Sequence, residues 1–195
     1  MTSEKTDHLP RVPVVLRDGT TAELRPISPD DRSMIEEGFN QMSLESRFAR
    51  FGSGISTLRA SELRYLTDVD QISHVAWGAT IDDQPAGVGR YILGSGPDAE
   101  IAIAVVDRFQ RRGLGRVLFD ALAASARASG VAGLHFAIEP WNRPVLRMLL
   151  GIEIDLNQAD DMLEGRIDVA DIPPSELAPQ FVEVLDRYRL GLSET

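Results

Sequence analysis

The 195-residue chain has no cysteine, a single lysine at position 5 and only three histidines. Without cysteine there is no disulfide, no thiolate metal ligand and no cysteine nucleophile. His8, His74 and His135 stand far apart, so no metal centre is expected. A Walker A loop needs Gly-Lys-Ser/Thr, and Lys5 is in no such triplet, which excludes that phosphate cradle. Lys5 is also the one lysine that the chain could modify on itself. No segment approaches the roughly 20 apolar residues of a membrane-spanning helix. The opening MTSEKTDHLP has no hydrophobic signal-peptide region, so a cytoplasmic protein with no membrane partner is expected. Positive charge is scarce too: 20 Lys and Arg face 30 Asp and Glu, a net charge of −10. That balance argues against a nucleic-acid partner.

What is present is organised around residues 100–130, EIAIAVVDRFQRRGLGRVLFDALAASARASG. An apolar, β-branched run over 101–106 predicts a strand covered on both faces. A short basic loop with Arg108, Arg111 and Arg112 leads into Gly113-Leu114-Gly115. Leu114, Val117, Leu118, Ala121, Leu122 and Ser125 then recur on one helical face, and Gly130 supplies the stop. A strand feeding a glycine-relieved helix start is an anion cradle. The first amides of a helix have no internal partner, and the macrodipole adds about half a positive charge there. A dinucleotide fingerprint would need a third glycine where Leu118 stands, although Glu139 ends the next strand as that fold requires. It is carried as an alternative.

The rest of the chain supplies a scaffold. Residues 12–16 and 21–24 flank Arg17-Asp18-Gly19-Thr20, a hairpin signal for a type I′ turn. Ser28-Pro29-Asp30-Asp31 opens a helix whose apolar face holds Met34, Ile35, Gly38, Phe39 and Met42. Short helices are expected over 43–51 and 60–68, and strands over 73–81, 85–93 and 131–138. Gly87, Gly89, Gly94 and Gly96 predict an irregular end to the second of these strands. His135 alternates away from the apolar face of its strand and reads as a surface or packing residue rather than a base, and Trp141 as packing at a strand end. Strands over 152–156 and 162–169 and a helix over 176–190 complete one domain, with residues 1–11 as a flexible tail.

Gln110-Arg111-Arg112-Gly113-Leu114-Gly115 resembles motif A of the GNAT superfamily of acyl-CoA N-acyltransferases, Gln/Arg-x-x-Gly-x-Gly/Ala. Leu24-Arg25-Pro26-Ile27 and Ser43-Leu44-Glu45-Ser46-Arg47-Phe48 are similar to segments of bacterial protein-lysine acetyltransferase domains. Asn142-Arg143-Pro144-Val145-Leu146-Arg147-Met148-Leu149 resembles the start of motif B, with Leu149 where many members carry a tyrosine. The resemblance implies an α+β (α/β) GNAT fold over residues 12–195. Its sheet would be mixed and mostly antiparallel, with about six to seven strands, splayed at a parallel pair and flanked by helices.

It also implies the site. Acetyl-CoA would be the co-substrate, its pantetheine amides bonded by the backbone of Ile103, Ala104 and Val105. Its pyrophosphate would be held by the backbone of Arg111, Arg112, Gly113, Leu114, Gly115 and Arg116, and Asn142 would contact the cofactor, with its helix beside the pantetheine arm. Glu100, at the strand start, is where several members place a catalytic glutamate. It would be the general base, against the plainer reading of a solvated residue opening a strand. With no tyrosine at 149, the departing thiolate takes its proton from water, from another tyrosine such as Tyr91, or from none. Ten carboxylates from Glu153 to Asp186 face only Arg166. This rim suits a cationic amine acceptor, a protein lysine among the choices, and equally serves solubility. Pairing of two copies through the sheet or the C-terminal segment is compatible with the resemblance. A catalytically idle acyl-CoA-binding or protein-interaction module of the same fold is the competing assignment.

Overall fold

The computed structural model describes residues 10–51 and 56–193. Eight strands form one sheet in the order β1-β2-β3-β4-β5-β6-β8-β7. These are β1 (Val12–Val15), β2 (Thr21–Pro26), β3 (His74–Ile81), β4 (Gln84–Leu93), β5 (Asp98–Val105), β6 (Gly133–Ile138), β7 (Asp155–Ala159) and β8 (Met162–Asp168). The helices are α1 (Arg32–Asn40), α2 (Leu44–Phe51), α3 (Ala60–Thr67), α4 (Leu114–Ala128), α5 (Arg143–Met148) and α6 (Ala178–Ser193). Every neighbouring pair is antiparallel except β5 with β6. The expected mixed, mostly antiparallel sheet with helices around it is therefore present, with eight strands rather than the six or seven that the resemblance implies, and the strand expected over 152–156 lies at Asp155–Ala159. Most of the flexible tail expected over 1–11 lies outside the described residues; Arg11 itself pairs with Glu23 at 2.6 Å. No helix among the described residues is long and apolar enough to cross a membrane.

Two local expectations are corrected. In the β1–β2 hairpin only Gly19 has positive φ (84°) while Asp18 does not. The Gly19 amide donates to Leu16 O (3.0 Å) and the Leu16 amide to Thr20 O (2.8 Å). The loop is thus a turn closed by one left-handed residue rather than type I′, which needs two. The glycines of β4 do not break it, since β4 pairs with β5 from Gly87 to Leu93. They make room for a helix: a Cβ on Gly89 would meet Leu122 Cδ1 at 3.0 Å, and one on Gly87 would meet Leu118 Cδ1 at 3.1 Å. Helix α4 lies flat against the sheet there.

The core follows from that contact. α4 carries Leu114, Leu118, Phe119 and Leu122, all buried, against Trp77 and Tyr91 of the sheet. The Trp77 indole N–H donates to Ser125 Oγ (3.0 Å), and Ser125 Oγ–H to Ala121 O (2.8 Å), so the polar atoms beneath the helix are satisfied. Phe181 of α6 meets Trp77 edge-on at 5.4 Å. On the opposite face α1 packs on β4 and α2 on β5, with α3 against α1. The β6–β8–β7 half presents exposed His135, Ala137, Glu164 and Asp168 there.

Beyond β6, Phe136 lies over Gly165 of β8. A Cβ on Gly165 would sit 2.2 Å from Phe136 Cζ, and Phe136 is buried. Gly165→Ala is expected to destabilise the protein by about 1–3 kcal/mol, the usual result of overfilling a packed site. Urea unfolding checks this; an unchanged midpoint would mean that the ring swings away freely.

Candidate functional site

Strands β5 and β6 pair over only three residues. Asp98 faces Gly133, Ala99 faces Leu134 and Glu100 faces His135, after which the strands part although both continue. β6 stays bonded to β8 along its whole length, and β5 to β4 from Ala99 to Val105. The result is a wedge between β5 and β6, open toward their C-terminal ends.

Backbone parity decides which groups line it. The Val106 amide donates to Ala86 O (2.9 Å) and Gly94 to Asp98 O (3.0 Å), so even-numbered residues of β5 bond to β4. Pro97 O accepts from the Ala132 amide on the other side (2.8 Å). Odd-numbered residues therefore turn their amides and carbonyls toward the wedge. Ile103 and Val105 do so, as expected. Ala104 does not: its backbone is engaged by β4, and only its side chain faces the α1 side.

At the open end the chain turns through Asp107–Phe109, one turn of 3₁₀ helix, into the glycine loop. Arg111 (φ 63°) and Gly113 (φ 98°) are both left-handed, with a negative φ at Arg112 between them. Such alternation turns successive amides into one concavity, the geometry of an anion nest. A non-glycine residue at positive φ is also local strain of the kind concentrated at functional loops. Arg116 and Val117 amides both donate to Gly113 O (3.1 and 3.2 Å). Leu114 and Gly115 amides, ahead of them, have no intrahelical acceptor. The Arg116 amide, expected in the cradle, is thus spent inside the helix. Its side chain is held by Asp120 (2.8 Å). Arg112 reaches Arg108 O (3.0 Å) and Asp18 (3.4 Å), and Arg111 is exposed.

Gly115, like Gly191 of α6, is a helical glycine with room for a Cβ, and it stands at the start of α4 beside the loop. Its φ is not left-handed, and a Cβ there would only touch Val105 Cγ2 at 3.8 Å and Met148 Sδ at 4.0 Å. Nothing in the protein's own packing requires glycine at this helical position, where glycine costs about 1 kcal/mol relative to alanine. Without a Cβ at this position, the main chain at the start of α4 stays open to close approach.

Helix α2 is tied to this loop. Ser43 and Ser46 hydroxyls donate to Asp107 (2.7 and 2.9 Å), and the Ser43 amide adds a third bond (2.9 Å). Burial raises the Asp107 pKa, but these donors outweigh it and hold the carboxyl below its ordinary value. The Gln110 side-chain amide donates to Ser46 Oγ and to Val105 O, both at 3.1 Å. Val105 O is one of the groups turned toward the wedge, so Gln110 links α2, the loop and the strand edge.

Glu100 stands exposed where the strands part, on the face away from α4. Tyr91 is on the opposite face, fully buried, its hydroxyl 3.5 Å from Ser129 Oγ and its pKa raised by burial. It is therefore removed as a proton donor to the site. Asn142 caps α5, its Oδ1 accepting from the Val145 amide at 3.4 Å, with its side-chain NH₂ left to point elsewhere. Trp141 does not pack against the strand end as expected; it is 67% exposed.

Residues 42–151 match the Acetyltransferase (GNAT) family. This chain belongs to that family. Among GNAT relatives, it is 30% identical over 185 residues to Acetyltransferase Pat of Mycolicibacterium smegmatis, covering 91% of this chain and 54% of that protein. The chain thus spans about half the length of that curated relative. The crystal structure of the GNAT domain of S. lividans PAT superposes with a TM-score of 0.76 at 30% identity, over 81% of this chain and 96% of that one. The yncA protein of Salmonella typhimurium, solved with its cofactor acetyl-CoA, shares the fold at 17% identity, with a TM-score of 0.63 over 80% of this chain and 98% of that one.

Several groups around the GNAT site escaped sequence reasoning. The serine clasp on Asp107 joins positions 61 and 64 residues apart, which no local pattern announces. Nor does any pattern join Asp98, His135 and Arg166, which meet on the face beside Glu100. A third is His74, whose Nε2 lies 3.2 Å from Arg90 Nη1. Guanidinium can only donate, so His74 accepts through Nε2 and is neutral.

Burial, followed by the Arg90 charge, pushes the His74 pKa down to about 4, against a smaller opposing effect of Asp70. A histidine depressed on folding binds protons more readily when unfolded. Its stabilisation is full above pH ~6.5 and is lost as pH falls toward 4. The thermal midpoint should therefore drop between pH 6.5 and 4.5, and His74→Gln should flatten that decline in a melting series. An equal decline in the variant would assign it to other groups.

Proposed function

We propose that this chain is an acetyl-CoA-dependent N-acetyltransferase that acetylates a primary amine, a protein lysine among the candidates. The observation that carries this is the parting of β5 and β6 after Glu100 into a wedge whose open end leads to the nest at 111–115. The residues present suit an acyl-CoA. Amides of Leu114 and Gly115 and the concavity at Arg111–Gly113 suit a diphosphate, and the loop arginines add positive potential. The edge groups of Ile103 and Val105 suit the amides of a pantetheine arm, which would complete the strand's hydrogen bonds. Bound there, acetyl-CoA would supply the activated acetyl thioester.

The remaining chemistry falls to this chain's side chains and amides. A lysine amine with a pKa near 10.4 is almost wholly protonated at neutral pH and cannot attack. Glu100, exposed at the point where the wedge opens, takes that proton as general base. Amides on the wedge side of β5 stabilise the oxyanion that forms at the acetyl carbonyl. No tyrosine hydroxyl is needed for departure, since a thiolate leaves unaided. The carboxylates on β7 and β8, Asp155, Glu164 and Asp168, lie on the face that Glu100 shares and favour a cationic acceptor.

Relatives named as acetyltransferases support the assignment. It is tested by calorimetry with acetyl-CoA together with thiol release over a panel of lysine peptides and polyamines. Binding with release is expected. Binding without release over the whole panel would favour the idle acyl-CoA-binding module.

A further inference from the structure

The sheet face beside Glu100 carries a second titratable group that the mechanism above leaves unused. His135 is the register partner of Glu100, in the last pair before β5 and β6 separate. Partners on adjacent strands present their side chains on one face, with the strands about 4.8 Å apart. His135 Nε2 lies 3.0 Å from Asp98 Oδ2. Asp98 is itself gripped by Arg166, through Nε (2.9 Å) and Nη2 (3.2 Å), and Arg166 reaches on to Asp168 at 2.7 Å.

The grip depends on a glycine. A Cβ on Gly133 would stand 2.6 Å from Arg166 Nη2, so the guanidinium lies across β6 where only glycine admits it. The bond from Arg166, with a further one from His135, holds the Asp98 pKa down to about 2. A carboxylate can only accept, so Nε2 carries the imidazole proton, and Nδ1 of the neutral ring presents a lone pair. An ionised aspartate orienting a histidine whose second nitrogen is a base is the arrangement that triads use.

We propose that His135, oriented by Asp98, is the proton relay behind Glu100. The inference rests on the transferase assignment made above. The acceptor ammonium gives one proton to Glu100, which passes it to His135 Nδ1 and so regains its charge. The freed amine forms the C–N bond at the thioester carbonyl as the C–S bond breaks, and its second proton ends on the departing thiolate. The imidazolium, stabilised by Asp98 and half exposed, releases its proton to water. Besides Glu100 and Asp98 on β5, the groups on this face are Glu164, Arg166 and Asp168 on β8 and Asp155 on β7.

The test uses the full chain, with lysine peptides and polyamines as acceptors. His135→Gln can keep a donor to Asp98 but has no base. It should lower kcat about tenfold to a hundredfold across neutral pH, with acetyl-CoA affinity and melting temperature unchanged. Asp98→Asn should move the acidic limb of the pH–rate profile to lower pH, because the imidazolium loses its counter-charge. NMR titration of His135 gives a readout that does not depend on turnover, and Glu100→Gln should lower its midpoint. A midpoint indifferent to Glu100 would overturn the relay. So would wild-type release matched by His135→Gln at every pH, which would leave the transferase assignment standing. Absence of release by the wild type over the whole panel would overturn both.

Discussion

Glu100→Gln is expected to lower turnover by about 10²–10⁴-fold, the usual contribution of a positioned acid–base group, while leaving acetyl-CoA affinity nearly unchanged. Glu100 is exposed and makes no contact on which the fold depends, and exposed substitutions of this kind shift stability within about 0.5 kcal/mol. The replacement keeps the shape of the side chain and removes only its basicity. Loss of rate therefore reports proton transfer. The rate should recover partly as pH rises toward the pKa of the acceptor amine, because solvent then does what the carboxylate did. Steady-state thiol release over pH 6–10 together with calorimetry is the measurement (about pH 10 being the lysine range). Unchanged turnover would remove Glu100 from the role and leave the wedge without its base.

Gly115→Ala should separate the cofactor cradle from the fold. The added methyl finds only ordinary contacts with Val105 and Met148, and alanine is the better helix former by up to about 1 kcal/mol. The free protein should melt at the same temperature or slightly higher. Acetyl-CoA affinity should fall about tenfold or more, since one lost charge-assisted hydrogen bond is worth about 1.5–3 kcal/mol. A rise in melting temperature with acetyl-CoA that persists in the variant would show that the diphosphate does not approach position 115. Gly113→Ala would be a poorer probe. Its φ of 98° and the nearby Arg17 side chain at 3.3 Å would strain the free protein as well.

The strand, glycine loop and helix over 98–128 were legible in the sequence because their parts are consecutive. A β-branched run, a basic loop, two glycines and a helical repeat are local patterns, and the structure has a strand, an αL glycine and a helix in those places. The hairpin at Asp18-Gly19 was legible as a hairpin, but its turn type was not: Asp-Gly fits two loop geometries, and the register of β1 with β2 chose between them. Ala104 was misassigned to the wedge because composition does not show backbone parity, which depends on how β4 pairs with β5. Gly87 and Gly89 suggested an irregular strand end and are contact points for α4, while the register shift of β4 lies at its start, where Gly87 and Pro85 face Ala79 and Thr80.

His135 is the instructive case. By alternation alone it is a surface residue, and it is indeed about half exposed (51% for the side chain). Its neighbours Glu100, Asp98 and Arg166 come from two other strands, 31 to 37 positions away. Periodicity carries only the direction of a side chain; register decides what stands beside it.

The sequence by itself determined the pieces: which stretches are strands or helices, that a glycine loop at 110–115 leads from strand to helix, and that Glu100 lies near the start of an apolar strand. Only the tertiary structure decided that β5 and β6 separate just past Glu100, that Ile103 and Val105 rather than Ala104 face the opening, and that an aspartate–histidine pair stands beside Glu100. Local preferences are set by residues a few positions apart, whereas a site is assembled from strand register and helix packing between residues tens of positions apart.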